Sequence, residues 1–464
     1  MSCSYVLILA QLLVVQLVVR PVRGSAVYTS SSDRVLGAGN RLPLRELSRS
    51  PLCEGLVQIY GYPCEEHEVT TDDGFILTLQ RIPYGLKGAD SGHGDGDMSK
   101  DRRRPPLLMQ HGLFSGGESW LLSPPDENLA FRLVEQGYEV WIANGRTSRW
   151  SHGHAKWRPE DKEYWDWSWD EMALYDVPAM LRHIYTVRNG SKVTYLGHSQ
   201  GTIMGLAAFS LRKITHMVEA AILLCPIAYL DHVSSAFVRV AASVYIDKLL
   251  MSAGLHEFNL RSEVGAELVG RVCDHKGVDC SDLLAAITGP NCCLNRTRTW
   301  FELHWSSEAT SVRNLAHLSQ MIRSGTFCRY NFGWFSNVRH YGYFYPPIYP
   351  LSNVPISLPM MLLFGGADSL ADPYDVAHLM ISLPQIPRLV YLSRYAHMDF
   401  IVGINGAEDF FDQIFDFLNH VQNGSYTAPT ELPAEIAQLL GDRRLQNTIS
   451  SRRSQQRTLL IQNG

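Results

Sequence analysis

The sequence predicts an α/β protein: a mostly parallel central sheet with helices on both faces and a largely helical insertion. Three observations carry that prediction. Short apolar runs of strand length alternate with helical stretches, the pattern of parallel strands buried on both faces. One of these runs, Val193 to Leu196, passes through Gly197-His198-Ser199-Gln200-Gly201 straight into a small-residue helical pattern. The alternation then stops between about Tyr229 and Asn353 before resuming, so one long segment interrupts a regular core.

In chain order, Tyr5 to Val19 is almost wholly apolar and is followed by Arg20 and the small residues Gly24-Ser25-Ala26. It is shorter than the roughly 20 residues of a membrane-spanning helix, so residues 1–26 read as a signal peptide, and no later stretch reads as a span. Residues 27–50, rich in Ser, Arg and Gly, read as a linker or propeptide. The main domain is expected over 51–425. His67 to Thr71 and Phe75 to Arg81 flank Asp72-Asp73-Gly74, whose Asp-Gly pair suits a tight hairpin. Gly88 to Arg104 is a polar surface loop. Leu107 to Gln110 is a buried strand ending in His111-Gly112-Leu113, and Glu139 to Ala143 is the next. Ser168 and Glu171 have the capping-box spacing that starts a helix through Met180 and Ile184. Val193 to Leu196 and Ala221 to Leu224 continue the sheet.

The insertion, about 230–353, holds helical stretches at Ala236 to Met251 and Ser311 to Arg323 and an aromatic run from Tyr330 to Tyr349. Its place after the strand that follows Ser199 suits a cap over a site. The sheet resumes at Pro359 to Phe364 and Arg388 to Leu392, and the helix Ala407 to Val421 closes the domain. Residues 426–464, with many Gln, Ser and Arg and no sustained periodicity, are expected to be disordered.

The 464 residues, 45% hydrophobic, suffice for one large core. With 41 Lys and Arg against 46 Asp and Glu, a net charge of −5 gives no footprint for nucleic acid. A secretory leader would place the cysteines in an oxidising compartment. Eight follow it, and eight permit 105 pairings. Cys273 and Cys280, close together in a polar loop, are the best candidate pair. Cys225, inside an apolar run, reads as a buried free thiol. Paired C-x-x-C motifs are absent and His152-x-His154 lacks a carboxylate companion, so no metal is expected. Asn189, Asn295 and Asn423 each open an N-x-S/T glycosylation acceptor.

Gly197 to Gly201 is the G-x-S-x-G nucleophile elbow, in which a sharp strand-to-helix turn lifts a serine to the sheet edge. A serine hydroxyl needs a histidine to take its proton, and the histidine needs an acid to fix its tautomer. In such a fold the order is serine, acid, histidine, each in a loop at the carboxyl end of a strand. Asp368 follows Pro359 to Phe364 and His397 follows Arg388 to Leu392. Asp372 and Asp375 compete for the acid role but lie where Pro373 starts a helix, as capping residues would. An oxyanion needs donors already in place, supplied by the backbone N–H of Gln200 and by that of Leu113 or Phe114 in the turn after His111-Gly112. His111 and His198 read as structural.

These segments together resemble the acid lipase family, which includes gastric and lysosomal lipases. The shared markers are GYPCEEHEVTTDDGFILTLQRIP, LLMQHGLFSGGESW, WSWDEMALYDVPAM, YLGHSQGT, LFGGADSLADP and YAHMDF, covering about Tyr60 to Val421. The resemblance implies an α/β-hydrolase core, nucleophile Ser199, acid Asp368, base His397, oxyanion amides on Leu113 and Gln200, and no cofactor. It also implies a cap over an apolar cleft, and a secreted or lysosomal enzyme acting on neutral lipid esters at a lipid–water interface. The oligomeric state stays open. A carboxylesterase of small soluble esters and a catalytically silent lipid carrier are the competing readings.

Overall fold

The computed structural model describes residues 51–86, 104–146, 148–151, 153–260, 262–274, 282–295 and 308–441. The expected leader and linker, most of the 88–104 loop, His152, Cys280 and residues 442–464 lie outside them.

Eleven short strands are described: β1 Glu65–Thr70, β2 Phe75–Ile82, β3 Pro106–Gln110, β4 Glu139–Ala143, β5 Gly153–His154, β6 Val193–His198, β7 Val218–Leu224, β8 Glu257–Phe258, β9 Thr310–Ser311, β10 Met360–Gly365 and β11 Arg388–Leu392. The main sheet runs β1-β2-β4-β3-β6-β7-β10-β11, with β5 added to β2. From β4 to β11 all neighbours are parallel, and the β1–β2 hairpin joins antiparallel. The expected hairpin turns at Gly74, φ 98°. Every residue of β3, β4, β6 and β10 is buried, as a sheet covered on both faces requires.

β3 has β4 on one side and β6 on the other, and the chain leaves β3 first toward β4 and later reaches β6. The connections therefore diverge at the carboxyl ends of β3 and β6, where open α/β sheets carry their sites. Gly112 follows one end and Ser199 the other.

The helix predicted from Ser168 is present with both capping-box bonds, Ser168 N–H to the Glu171 carboxylate being 2.7 Å. It runs Trp169–Glu171, makes a π turn over Met172–Asp176 and continues as Val177–Val187. At the π turn Asp176 meets the fully buried Arg146, whose Nε lies 3.1 Å from Oδ2. Arg146 also pairs with Asp73 at 2.9 Å and covers the Phe75 ring, so β2, the loop after β4 and this helix meet on one guanidinium.

Within the insertion, the stretch read as one helix from Ala236 to Met251 is two, Ala236–Ser243 and Ile246–Ser252. The chain breaks at Tyr245, φ 56°, whose ring lies under the Lys248 and Arg323 cations. Helices Glu263–Cys273, Leu283–Thr288, Val312–Ser324 and Trp334–Tyr341 follow, and β8 pairs with β9 apart from the main sheet.

The expectation of disorder from 426 needs correction over 426–441. Tyr426 packs edge-on against Phe417 and reaches the Met360 carbonyl at 3.4 Å, and a helix over Ala434–Gly441 packs on the helix Pro373–Ser382 with Ile436 buried. Leu432 and Ile436 make too short an apolar pattern to register as periodicity, yet both reach the core.

The cysteine pairing was not legible from spacing. Cys53 joins Cys64, and the adjacent Cys292 and Cys293 join each other. Cys273 is disulfide-bonded, while Cys280, its expected partner, lies outside the described residues. Cys225 is a buried free thiol.

Candidate active site

Ser199 sits between the last residue of β6 and the helix Gln200–Ser210 with φ 54° and ψ −120°. A non-glycine residue there costs about 1–3 kcal/mol and persists only where its surroundings over-determine it. They do so here. Ser199 N–H donates to the Leu224 carbonyl at 3.1 Å, and its own carbonyl accepts from the Thr202 amide at 2.8 Å. A Cβ on Gly201 would lie 2.7 Å from the Gln110 carbonyl and 2.9 Å from that of His111, so the helix start touches the end of β3. A Cβ on Gly112 would lie 3.0 Å from that of Ser199, which puts the turn after β3 beside the serine.

Asp368 follows β10 and His397 follows β11, and both are buried. His397 Nδ1–H donates to Asp368 Oδ2 at 2.9 Å, while Oδ1 accepts from the amides of Leu370 at 2.8 Å and Ala371 at 2.9 Å. Burial alone would raise the Asp368 pKa, but the adjacent imidazole and these three donors outweigh it and hold the carboxyl below its ordinary value. The rivals are occupied elsewhere. Asp372 caps the helix Pro373–Ser382 through the Tyr374 amide, as expected of a cap. Asp375 instead binds His232, at 2.7 Å to Nδ1 and 2.9 Å to the backbone N–H.

His198 and His111 are framework groups. His198 Nε2–H donates to the His397 carbonyl at 3.1 Å, and burial pushes its pKa down to about 3. His111 Nε2 accepts from the Gly145 amide at 2.8 Å, so Nδ1–H faces the Gly112 carbonyl at 2.8 Å, and burial holds its pKa at about 4. Both rings are thus neutral struts, one beneath the His397 loop and one beneath the turn after β3. The Cys225 thiol also donates to the His397 carbonyl, at 3.4 Å. His198, Cys225 and His397 place possible metal-ligating atoms within 4.8 Å of one another, but the first two are already engaged with the His397 backbone and Nδ1 of the third with Asp368.

Gln200 opens the helix after Ser199, and Leu113 lies in the turn between Gly112 and Phe114, which takes φ 58°. The side chain of Gln200 is fixed by Asn314, whose Nδ2 donates to it at 2.8 Å while Oδ1 accepts from the Trp169 amide at 2.8 Å. Trp169 stacks on His317 with ring centroids 4.0 Å apart. One insertion helix, Val312–Ser324, is thereby tied to the first residue after Ser199.

The sequence did not disclose a second tie. The Thr288 carbonyl accepts from the amides of both Ser369 and His397, each at 3.3 Å. Asn291 accepts from the Met398 amide at 3.1 Å, and the Asp399 carboxylate accepts from the amides of Cys292, at 3.1 Å, and Cys293, at 3.0 Å, and from Ala396 at 2.7 Å. Two of these are backbone–backbone bonds, which have no residue-type signature, and the other four join backbone amides to the side chains of Asn291 and Asp399. Asp399 alone, in YAHMDF, had a marker.

Of the glycosylation candidates, Asn189 and Asn423 are exposed and Asn295 is half-buried.

The parallel sheet and its serine elbow define an α/β-hydrolase. Residues 105–404 match the family described as "alpha/beta hydrolase fold", and 53–124 match the "Partial alpha/beta-hydrolase lipase region". The chain is 43% identical over 366 residues to Triacylglycerol lipase 1 of Arabidopsis thaliana, covering 79% of this chain and 90% of that one. It is 36% identical over 359 residues to a tear acid lipase-like protein of Mesocricetus auratus, covering 75% and 86%, and 34% identical over 369 residues to gastric triacylglycerol lipase of Mus musculus, covering 77% and 89%. The chain belongs to the acid lipase family.

Proposed function

We propose that this chain is a serine lipase that hydrolyses the carboxylic esters of neutral lipids, triacylglycerol or steryl ester. The observation that carries the reading is the buried Asp368–His397 pair, set in the loops after β10 and β11 and hydrogen-bonded through Nδ1. That bond leaves Nε2 as the basic nitrogen.

Ser199 Oγ attacks the ester carbonyl as His397 Nε2 takes its proton, and Asp368 stabilises the imidazolium. The amides of Leu113 and Gln200 receive the negative charge on the former carbonyl oxygen. Collapse breaks the ester bond, and His397 returns the proton to the departing alcohol. Water, deprotonated by His397, then releases the fatty acid and restores Ser199. No cofactor enters this cycle. The insertion acts as the cap, its helices tied to Gln200 and to the His397 loop. No helix among the described residues is long and apolar enough to cross a membrane. We further propose secretion or lysosomal delivery through the 1–26 leader, with glycans at Asn189 and Asn423.

The test is hydrolysis by purified protein of an emulsified long-chain triacylglycerol beside a soluble short-chain ester, with Ser199→Ala as control. Activity on the emulsion that vanishes in the variant supports the lipase. Activity on the soluble ester alone would make the chain an esterase, and none on either, from folded protein, would make it a carrier.

A further inference from the structure

One helix of the insertion is packed inside out. The single residue that Trp334–Tyr341 buries is an asparagine. Asn337 Nδ2 donates to Asn331 Oδ1 and to the Phe344 carbonyl, each at 2.8 Å, and its Oδ1 accepts from the Phe332 amide at 2.9 Å. By the helical period Trp334, Phe335 and Val338 lie on the other side, and they are 63%, 89% and 40% exposed. Tyr343 and Phe344, just beyond the helix, are exposed as well. The segment is anchored to the helix Val312–Ser324 by Gln320, which bonds the Asn331 backbone at 2.9 and 3.0 Å.

The helix Ile246–Ser252 presents a second such face, with Tyr245 and Met251 exposed and Lys248 between them. The two faces adjoin, because the Tyr330 hydroxyl reaches Met251 Sδ at 3.8 Å and the Tyr330 ring meets that of Phe332, which stacks on His340. Their charge has one sign. Between Glu308 and Asp368 the chain has no acidic residue, although Asp and Glu make up 46 of its 464 residues. Arg313, Arg323 and Arg329 in that stretch are paired with Asp166, Asp247 and Asp170. Arg339, at the edge of the Trp334 face, and Lys248 are exposed and form no ion pair among the described residues.

We propose that this face of the insertion docks the protein on a lipid surface bearing anionic headgroups, with Trp334 and Phe335 entering the acyl boundary and Arg339 and Lys248 at the phosphates. Contiguous apolar surface left in water marks a contact. Aromatic rings beside unpaired cations suit the level of the headgroups, where rings sit at the boundary and cations meet anionic lipid. A second copy of the chain would instead bring this cationic surface against itself. The proposal deepens the lipase reading, on which it rests for the need to meet substrate at such a surface.

The experiment is flotation of the full chain, carrying Ser199→Ala so that no lipid is consumed, with vesicles of phosphatidylcholine alone or of equal parts phosphatidylcholine and phosphatidylglycerol. The parent binds the mixed vesicles at least about tenfold more strongly than phosphatidylcholine. Trp334→Ser with Phe335→Ser, its melting temperature unchanged, lowers that binding at least about tenfold. Arg339→Gln lowers it about fivefold and leaves binding to phosphatidylcholine as it was, and it decides alone should the double variant melt lower. Parental binding by the variants overturns the inference, as does equal binding of the parent to both vesicles. A parental dimer that the double variant dissociates, without vesicle binding, gives the face to a second copy and overturns it too. Hydrolysis of a soluble ester by protein with Ser199 intact needs no docking. Vesicle binding absent with that hydrolysis present therefore counts against this face alone, and hydrolysis absent with docking present counts against the lipase reading alone.

Discussion

Replacing Asp368 by Asn tests the acid assignment, and the structure dictates how it fails. Oδ1 of Asp368 accepts from two backbone amides, at Leu370 and Ala371, so an amide side chain must turn its oxygen toward them. Its NH2 then faces His397 Nδ1, where Oδ2 now accepts at 2.9 Å. Two donors cannot face one another, so the imidazole shifts to the tautomer with hydrogen on Nε2, the nitrogen that receives the serine proton in the proposed cycle. The same substitution in a serine protease triad costs about 10⁴ in kcat, which at 1.36 kcal/mol per decade is about 5 kcal/mol of transition-state stabilisation. The assay is initial rates of Asp368→Asn on a soluble ester at neutral pH. Asp372→Asn and Asp375→Asn serve beside it, since those carboxylates cap a helix and hold His232; both controls retain kcat within the parent's order of magnitude. Asp368→Asn retaining more than about a tenth of parental kcat would refute the reasoning. Stability gives an independent check. The folded-state pKa of Asp368 is lowered, so its contribution is present above the ordinary carboxylate range and lost as pH falls through the depressed value. The variant's deficit in melting temperature is accordingly larger at pH 7 than at pH 2–3.

His232 carries the opposite sign. Its hydrogen bond to Asp375 raises its pKa, so its stabilisation is full below the ordinary histidine value and lost as pH rises through the folded one; Asp375→Asn lowers the melting temperature more at pH 5 than at pH 9. Arg146→Ala leaves the buried Asp176 and the partly buried Asp73 without their cation and costs about 3–5 kcal/mol, read by urea denaturation. Removing the Cys53–Cys64 link by Cys53→Ser with Cys64→Ser opens a loop with a sequence separation of 11 residues and costs about 3 kcal/mol on the chain-entropy estimate, read the same way.

The elements that the sequence made legible are those in which local chemistry and tertiary role coincide. Val193 to Gly201 announces strand, turn and helix because glycine is required at both flanks of Ser199, and β11 falls on Arg388–Leu392 as the apolar run proposed. Asp368 and His397 were selected by position after strands, and they are hydrogen-bonded to each other. Legibility fails where a residue's role depends on distant partners. Tyr245 breaks a helix that its neighbours favour, and its ring meets a cation from Arg323, far along the chain. Arg146, in an unremarkable loop, anchors Asp176 and Asp73. Ile436 enters the core from a segment whose composition reads as disordered. The bonds at Thr288 use only main-chain groups, which every residue has.

Those main-chain bonds limit how such an enzyme can be remade. Residues 288–294 belong by chain position to the insertion, yet they brace the loops of Asp368 and His397 from outside the sheet. A chimera that exchanges the whole insertion for a relative's discards the brace along with the surface meant to be altered. Exchange of the stretches on either side of 282–295 keeps that brace but replaces Asn314, which holds the Gln200 side chain. The supports of the site are thus written into two separate portions of one insertion, around Thr288 to Cys293 and at Asn314.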